Sequence, residues 1–256
     1  MTKTIAVAGK GGTGKTTIAA LTIHYLTRTG KGSVLAIDAD PSTNLNLALG
    51  VPLWDTVGDV REETATAVGG SRAMAGMSKW DYLDFRINES IVEETNFDLL
   101  AMGRPEGPGC YCAANNILRE SVDRLSDSYD YVVIDNEAGL EHLSRRTTRD
   151  VDLLLIVSDP TLRGIVAAGR VADLIDELKT SVSESYLVVN RVNGDQLPPP
   201  LLKAIEEHHL NLAGLIPADP AVNNLDAMGE PIVKLPEDAP MRRSLEKILT
   251  TVDGGL

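Results

Sequence analysis

The chain has 256 residues, 43% of them hydrophobic, which is enough for a full core and suits one α/β domain over 1–256. A formal net charge of −13 opposes any role that coats phosphate backbones regardless of sequence, so no nucleic-acid partner is expected. Met1-Thr2-Lys3 runs straight into a strand, and no apolar run approaches the roughly 18 residues of a spanning helix; a cytoplasmic protein without a membrane partner is expected.

In chain order, an apolar strand over Thr4 to Ala8 leads into Gly9-Lys10-Gly11-Gly12-Thr13-Gly14-Lys15-Thr16-Thr17. This stretch satisfies G-x-x-x-x-G-K-[ST], in which glycines let backbone N–H groups close around phosphate oxygens and the next helix presents its positive end. Lys15 is expected at the β- and γ-phosphates of ATP or ADP, the Thr16 hydroxyl on Mg²⁺, and Thr17 near the α-phosphate. Ile18, Leu21, Tyr25 and Leu26 then recur at helical spacing to about Thr29, with Gly30 as the stop.

Ser33 to Ile37 reads as a buried strand running into Asp38-Ala39-Asp40-Pro41, where proline ends ladder pairing. Leu45, Leu47 and Leu49 predict a short helix closed by Gly50, and Thr56 to Val68 another, ended by Gly69-Gly70; nothing from Asp55 to Ser90 carries a motif. Strands follow at Phe97 to Met102, Tyr131 to Ile134, Leu153 to Val157, Tyr186 to Val189 and Asn211 to Ile216. Between and after them lie helices at Asn115 to Leu125, Thr161 to Lys179, Leu201 to His208 and Met241 to Leu249, with a proline turn at Pro198 to Pro200. Such alternation implies a mostly parallel sheet covered by helices on both faces, an α/β fold of the P-loop class.

The loop GKGGTGKTT resembles the deviant phosphate loop of the septum-site, partition and nitrogenase iron protein ATPases. In that group the early lysine, here Lys10, crosses a dimer interface to the partner's nucleotide, which implies an ATP-promoted homodimer; a solvated Lys10 is the plain alternative. The same resemblance gives Asp40, directly before the proline, the task of positioning the attacking water. It places Asp38 in support of the metal and water shell, and Asp135 at Mg²⁺ through water. Asn190-Arg191 resembles the adenine-reading asparagine segment, and Pro217-Ala218-Asp219 a second base-side loop; an asparagine after a strand is also an ordinary turn residue.

The two cysteines, Cys110 and Cys112, are one residue apart and would close almost no loop as a disulfide, which points to thiol chemistry or metal binding. A thiolate pair offers two ligands where a soft tetrahedral site wants four. A twofold axis near both residues would bring four together, with Gly107, Pro108 and Gly109 turning both side chains toward one ion. The C-x-C segment, together with DNEAGLEHLSRRTTRD from Asp135 to Asp150 and SDPTLRG from Ser158 to Gly164, resembles the CooC family over essentially the whole chain. That family comprises the nickel-inserting maturation ATPases of carbon monoxide dehydrogenase. The resemblance implies an ATP-hydrolysing dimeric metallochaperone with Ni²⁺ (or Zn²⁺) shared across the dimer and apo carbon monoxide dehydrogenase as partner.

Arg145, Arg146 and Arg149 are either a solvated face or pairs for carboxylates of a partner, and His142 is not taken as a ligand. An iron–sulfur electron donor related to the nitrogenase iron protein is the alternative, distinguished by that family's two well-separated cysteines. A positioning ATPase ranks last, because the tail from Met241 lacks a basic amphipathic face.

Overall fold

The computed structural model describes residues 2–67, 76–104, 111–137, 150–178 and 181–252. Strands β1 (Lys3–Gly9), β2 (Val34–Ala39), β3 (Val92–Glu93), β4 (Phe97–Ala101), β5 (Tyr131–Asn136), β6 (Asp150–Ser158), β7 (Ser181–Val192) and β8 (Leu212–Pro217) form one sheet. Its eight strands run in the order β3-β4-β2-β5-β1-β6-β7-β8, parallel throughout except for the antiparallel β3–β4 pair. The strand that feeds the phosphate loop is therefore interior, with Val7 beside Asp135 of β5 and Leu155 of β6.

The helices are α1 (Lys15–Arg28), α2 (Leu45–Leu49), α3 (Val57–Ala67), α4 (Lys79–Glu89), α5 (Tyr111–Leu125), α6 (Leu162–Leu178), α7 (Pro199–Glu207), α8 (Pro220–Met228) and α9 (Pro240–Val252). Alternation along β1 sends Ile5 and Val7 to the face covered by α1, α2, α8 and α9, and Ala6 and Ala8 to the face covered by α3 to α7. Both faces are thus buried, which is why the inner strands read as unbroken apolar runs.

Several boundaries moved for identifiable reasons. Gly50 does close α2, at φ 77° with its N–H on Asn46 and Leu47 carbonyls, as expected for a left-handed C-terminal stop. Pro199 and Pro200 begin α7 rather than lying in a turn before it, because the first helical turn has no intrahelical use for their missing N–H groups. β7 starts at Ser181, five residues before the expected Tyr186; residues up to Tyr186 pair only with β6, and β8 joins from Leu187, so the early half keeps polar residues. α5 begins at Tyr111 instead of Asn115, which puts Cys112 in its first turn.

Two helices went unread. α4 is opened by a capping box in which Ser78 and Asp81 exchange side-chain and backbone hydrogen bonds. α8 is opened by Asp219 with Pro220 at its first position and closed by Gly229 at φ 66°. The expected Gly69-Gly70 stop lies outside the described residues. Among the described residues no helix is long and apolar enough to cross a membrane.

Candidate functional site

The phosphate loop leaves the sheet at Gly9, whose φ is 142° and whose absent Cβ would sit well inside contact distance of the Val157 carbonyl oxygen on β6. Any side chain there must part β1 from β6 or strain the turn. Gly9→Ala is expected to cost about 3 kcal/mol or more of stability. Chemical denaturation would read this as a lower midpoint at unchanged slope, and a wild-type midpoint would show that the two strands yield freely. Gly14, at φ 94°, precedes α1, and a Cβ there would come within 2.5 Å of Asn190 Nδ2.

The loop's carbonyl groups are held by donors. Lys10 O accepts from Thr13 Oγ1 at 2.9 Å and from Lys15 Nζ at 3.4 Å. Gly12 O accepts from Arg191 Nη1 at 2.9 Å, and Thr13 O from Asn190 Nδ2 at 2.8 Å. The first intrahelical bond of α1 is Ile18 N to Gly14 O, so the N–H groups of Lys15, Thr16 and Thr17 lack intrahelical acceptors and give the helix a positive end. Oxygens that would repel an anion are tied back, while the nitrogens that attract one are left to it. Lys15 is buried, which lowers its pKa, although Asp135, Asp40 and Glu137 pull the other way. Lys10, Gly11 and Gly12 are exposed at the rim.

Three carboxylates gather where β2 and β5 end. Asp38 is fully buried: Oδ1 accepts from Asp40 N at 3.1 Å, and Oδ2 from Asn44 N and Leu45 N, both at 2.9 Å. Its side chain therefore fixes the path of the loop from Asp40 to the start of α2. Burial raises its pKa to about 6 in spite of those three bonds. Asp40 is half-buried and spends Oδ1 on Ser42 N at 2.8 Å.

Asp135 is 1% exposed, and burial raises its pKa to about 7; a hydrogen bond from Thr16 opposes the rise, Asp38 and Asp40 add to it, and Lys15 counters them. Its Oδ1 is buried without a hydrogen-bond partner among the described residues. A hydroxyl beside a buried, part-orphaned carboxylate, with a lysine near, is a donor set of hard oxygens that fits Mg²⁺ accompanying phosphates.

The expected base-side residues come together as well. Asn190, Arg191, Pro217, Asp219, Val222 and Met241 surround a hollow of about 80 Å³ adjoining Thr17. Asn190 has committed one amide hydrogen to Thr13 O, and its Oδ1 accepts from Arg191 N at 2.9 Å. One amide hydrogen and one lone pair are not used by these two bonds. Asp219 is largely occupied by scaffold: Oδ1 caps α8 at Ala221 N, and Oδ2 accepts from Met241 N at the start of α9. Arg191 holds φ 59°, an uncommon value for a residue with a side chain, and from there reaches Gly12 O.

One contributor escaped the sequence reading. Asn136 is 1% exposed, and its Nδ2 donates to Val7 O at 3.1 Å, lashing the end of β5 to the strand that feeds the phosphate loop. Cys110, His142, Arg145, Arg146 and Arg149 lie outside the described residues, and for Cys112 only its place in the first turn of α5 is described.

The profile CbiA, the CobQ/CobB/MinD/ParA nucleotide binding domain, matches residues 4–232. The chain is 44% identical to an uncharacterized ATP-binding protein of Methanocaldococcus jannaschii over 95% of this chain and 96% of that one. It is 32% identical to the carbon monoxide dehydrogenase accessory protein CooC of Rhodospirillum rubrum, over 88% of this chain and 87% of that one. Among solved structures, the cell division ATPase MinD of Pyrococcus furiosus superposes with a TM-score of 0.73 at 25% identity, covering 99% of both chains. MinD of Pyrococcus horikoshii in complex with Mg-ADP gives the same TM-score at 24% identity, covering 99% of this chain and 96% of that one.

Proposed function

The chain belongs to the CobQ/CobB/MinD/ParA family of P-loop ATPases, and on that premise we propose that it is an ATP-driven, dimeric metallochaperone. Its cargo is a soft divalent ion, Ni²⁺ or Zn²⁺, and its client is apo carbon monoxide dehydrogenase. What supports the cargo is the C-x-C pair itself, Cys112 being in the first turn of α5, in a chain 32% identical to CooC.

Thr16 and Asp135 would hold Mg²⁺, which supplies charge compensation on the β- and γ-phosphates. Lys15 would neutralise charge on the transferring phosphoryl group. Asp40 keeps one carboxylate oxygen on Ser42 and turns the other to the attacking water, and Asp38 holds that geometry through the backbone of Asp40. Lys10, exposed at the rim, reaches a second subunit's nucleotide, so ATP draws two chains together. Hydrolysis then releases that closure and couples it to the shared thiolate site.

Stoichiometry tests the cargo reading. Two thiolates per chain and a closed site of four predict one ion per two chains, with binding that strengthens as pH rises toward the free-thiol pKa of ~8.5. Equilibrium dialysis of Ni²⁺ and Zn²⁺ should show that ratio, a shift toward dimer in sedimentation, and loss of tight binding in Cys112→Ser with ATP binding retained. One tightly held ion per monomer would overturn the shared site.

A further inference from the structure

The chain is sparing with aromatic rings, and it exposes an unusual share of its largest. It has two tryptophans and two phenylalanines; Trp54 is 82% exposed, Trp80 69% and Phe85 48%, while the core is built mostly of isoleucine, valine, leucine and alanine. Met77, at 48%, stands one turn before Trp80. The exposed Trp80 and Phe85 of α4, with Met77 just before its Ser78 cap, do nothing for folding from the solvent side; exposed apolar side chains of this size mark protein contacts.

Of these residues, Trp80 lines a groove of about 250 Å³ between α4 and α5. Trp80, Leu83, Asp84 and Ile87 recur at helical spacing on the α4 side, and Ile117, Glu120 and Arg124 face them from α5. Leu83 and Ile87 are buried and form an apolar floor. The rim is acidic: Asp81, Asp84 and Glu120 line it, and the one cation among the described residues that line it, Arg124, is paired with Asp84.

The α4 wall is braced from behind. Arg86 reaches Glu63 at 2.8 Å, Glu89 at 2.9 Å and Asp55 at 3.2 Å, and Tyr82 donates to Glu63 at 2.6 Å. A wall fixed in this way loses little freedom when covered.

We propose that the α4–α5 groove docks a cationic amphipathic segment of a partner protein. An aliphatic side chain of that segment lies over Leu83, Ile87 and Ile117 beside Trp80, and its lysines or arginines meet Asp81 and Glu120. Charge complementarity selects this occupant: among the described residues the rim's three acids outnumber one committed cation, and the chain carries −13 overall. A second copy would bring the same acidic rim against itself. The surface is independent of the metal reading, since neither C-x-C nor nucleotide enters it.

The full-length chain with Trp54→Phe leaves Trp80 as the sole tryptophan reporter. The probe is a synthetic helical peptide of leucine and lysine at amphipathic spacing, compared with its leucine and glutamate counterpart. Expected are a saturable blue shift of Trp80 emission with the lysine peptide only, and about tenfold weaker binding in Glu120→Lys. Glu206→Lys, an exposed site on α7, should bind as the parent does. Equal binding by Glu120→Lys and Glu206→Lys, or no binding, would overturn the proposal. Spermine producing the same Trp80 shift would assign the groove to small cations instead. Self-association lost in Trp80→Ser without peptide would assign it to a second copy.

Discussion

Lys15→Ala is expected to lower kcat/KM for ATP by about 10³-fold, with nucleotide affinity falling alongside it. Lys15 is buried, bonded to the Lys10 carbonyl in the loop, and surrounded by Asp135, Asp40 and Glu137. On the proposed role, its removal would take away a positive partner of the phosphates and leave Asp135, Asp40 and Glu137 without the lysine that offsets them. Asp40→Ala should differ in kind: the loop donors and Lys15 remain, so ATP binds within a few-fold of wild type, while turnover falls about 10²-fold for want of an oriented water. Isothermal titration with a non-hydrolysable analogue, paired with phosphate release, separates the two. Normal turnover in both variants would remove them from the chemistry.

The difference between those variants also shows what sequence could and could not supply. The phosphate loop was legible because its spacing encodes local geometry: strand, glycine turn and helix follow within a few residues. Gly50 as the end of α2 was legible for the same reason. The brace behind the loop was not, because Asn190 meets Thr13 across 177 positions and Asn136 meets Val7 across 129, contacts that only sheet order creates. The D-x-D-P pattern placed Asp38 and Asp40 at a strand end. It could not tell that Asp38 would turn inward to take three backbone N–H groups, while Asp40 stays half-exposed.

Helices α4 and α8 were available locally, through Ser78 with Asp81 and through Asp219-Pro220 with Gly229. Apolar periodicity alone does not reveal them, whereas their capping residues do. In α4 that periodicity is confused by Trp80 and Phe85, which are apolar yet face solvent.

Nucleotide-free protein is expected to gain stability as pH falls from 8 to 5, opposite to the usual acid response, and the two buried carboxylates set the sign. Asp38 and Asp135 have folded pKa values of about 6 and about 7, above the ordinary 3.8. Between those limits the folded chain binds more protons than the unfolded one, so stability is greatest at the acid end and is lost as pH rises through the folded values. Glu63 and Asp130, whose pKa values are lowered, act below this window. His24, lowered by burial and by Arg242, works in the opposite sense inside it, since charging its ring on acidification disfavours the folded state. The diagnostic is therefore a difference: Asp135→Asn should be more stable than wild type at pH 8, and the gap should close toward pH 5. Mg²⁺ with nucleotide favours ionised Asp135, so its binding near pH 6.5 should release protons and tighten as pH rises through about 7. Calorimetry in buffers of unequal ionisation enthalpy measures that release, and thermal unfolding measures the gap. A gap independent of pH, or binding without proton release in wild type, would mean that Asp135 is already ionised in the empty site.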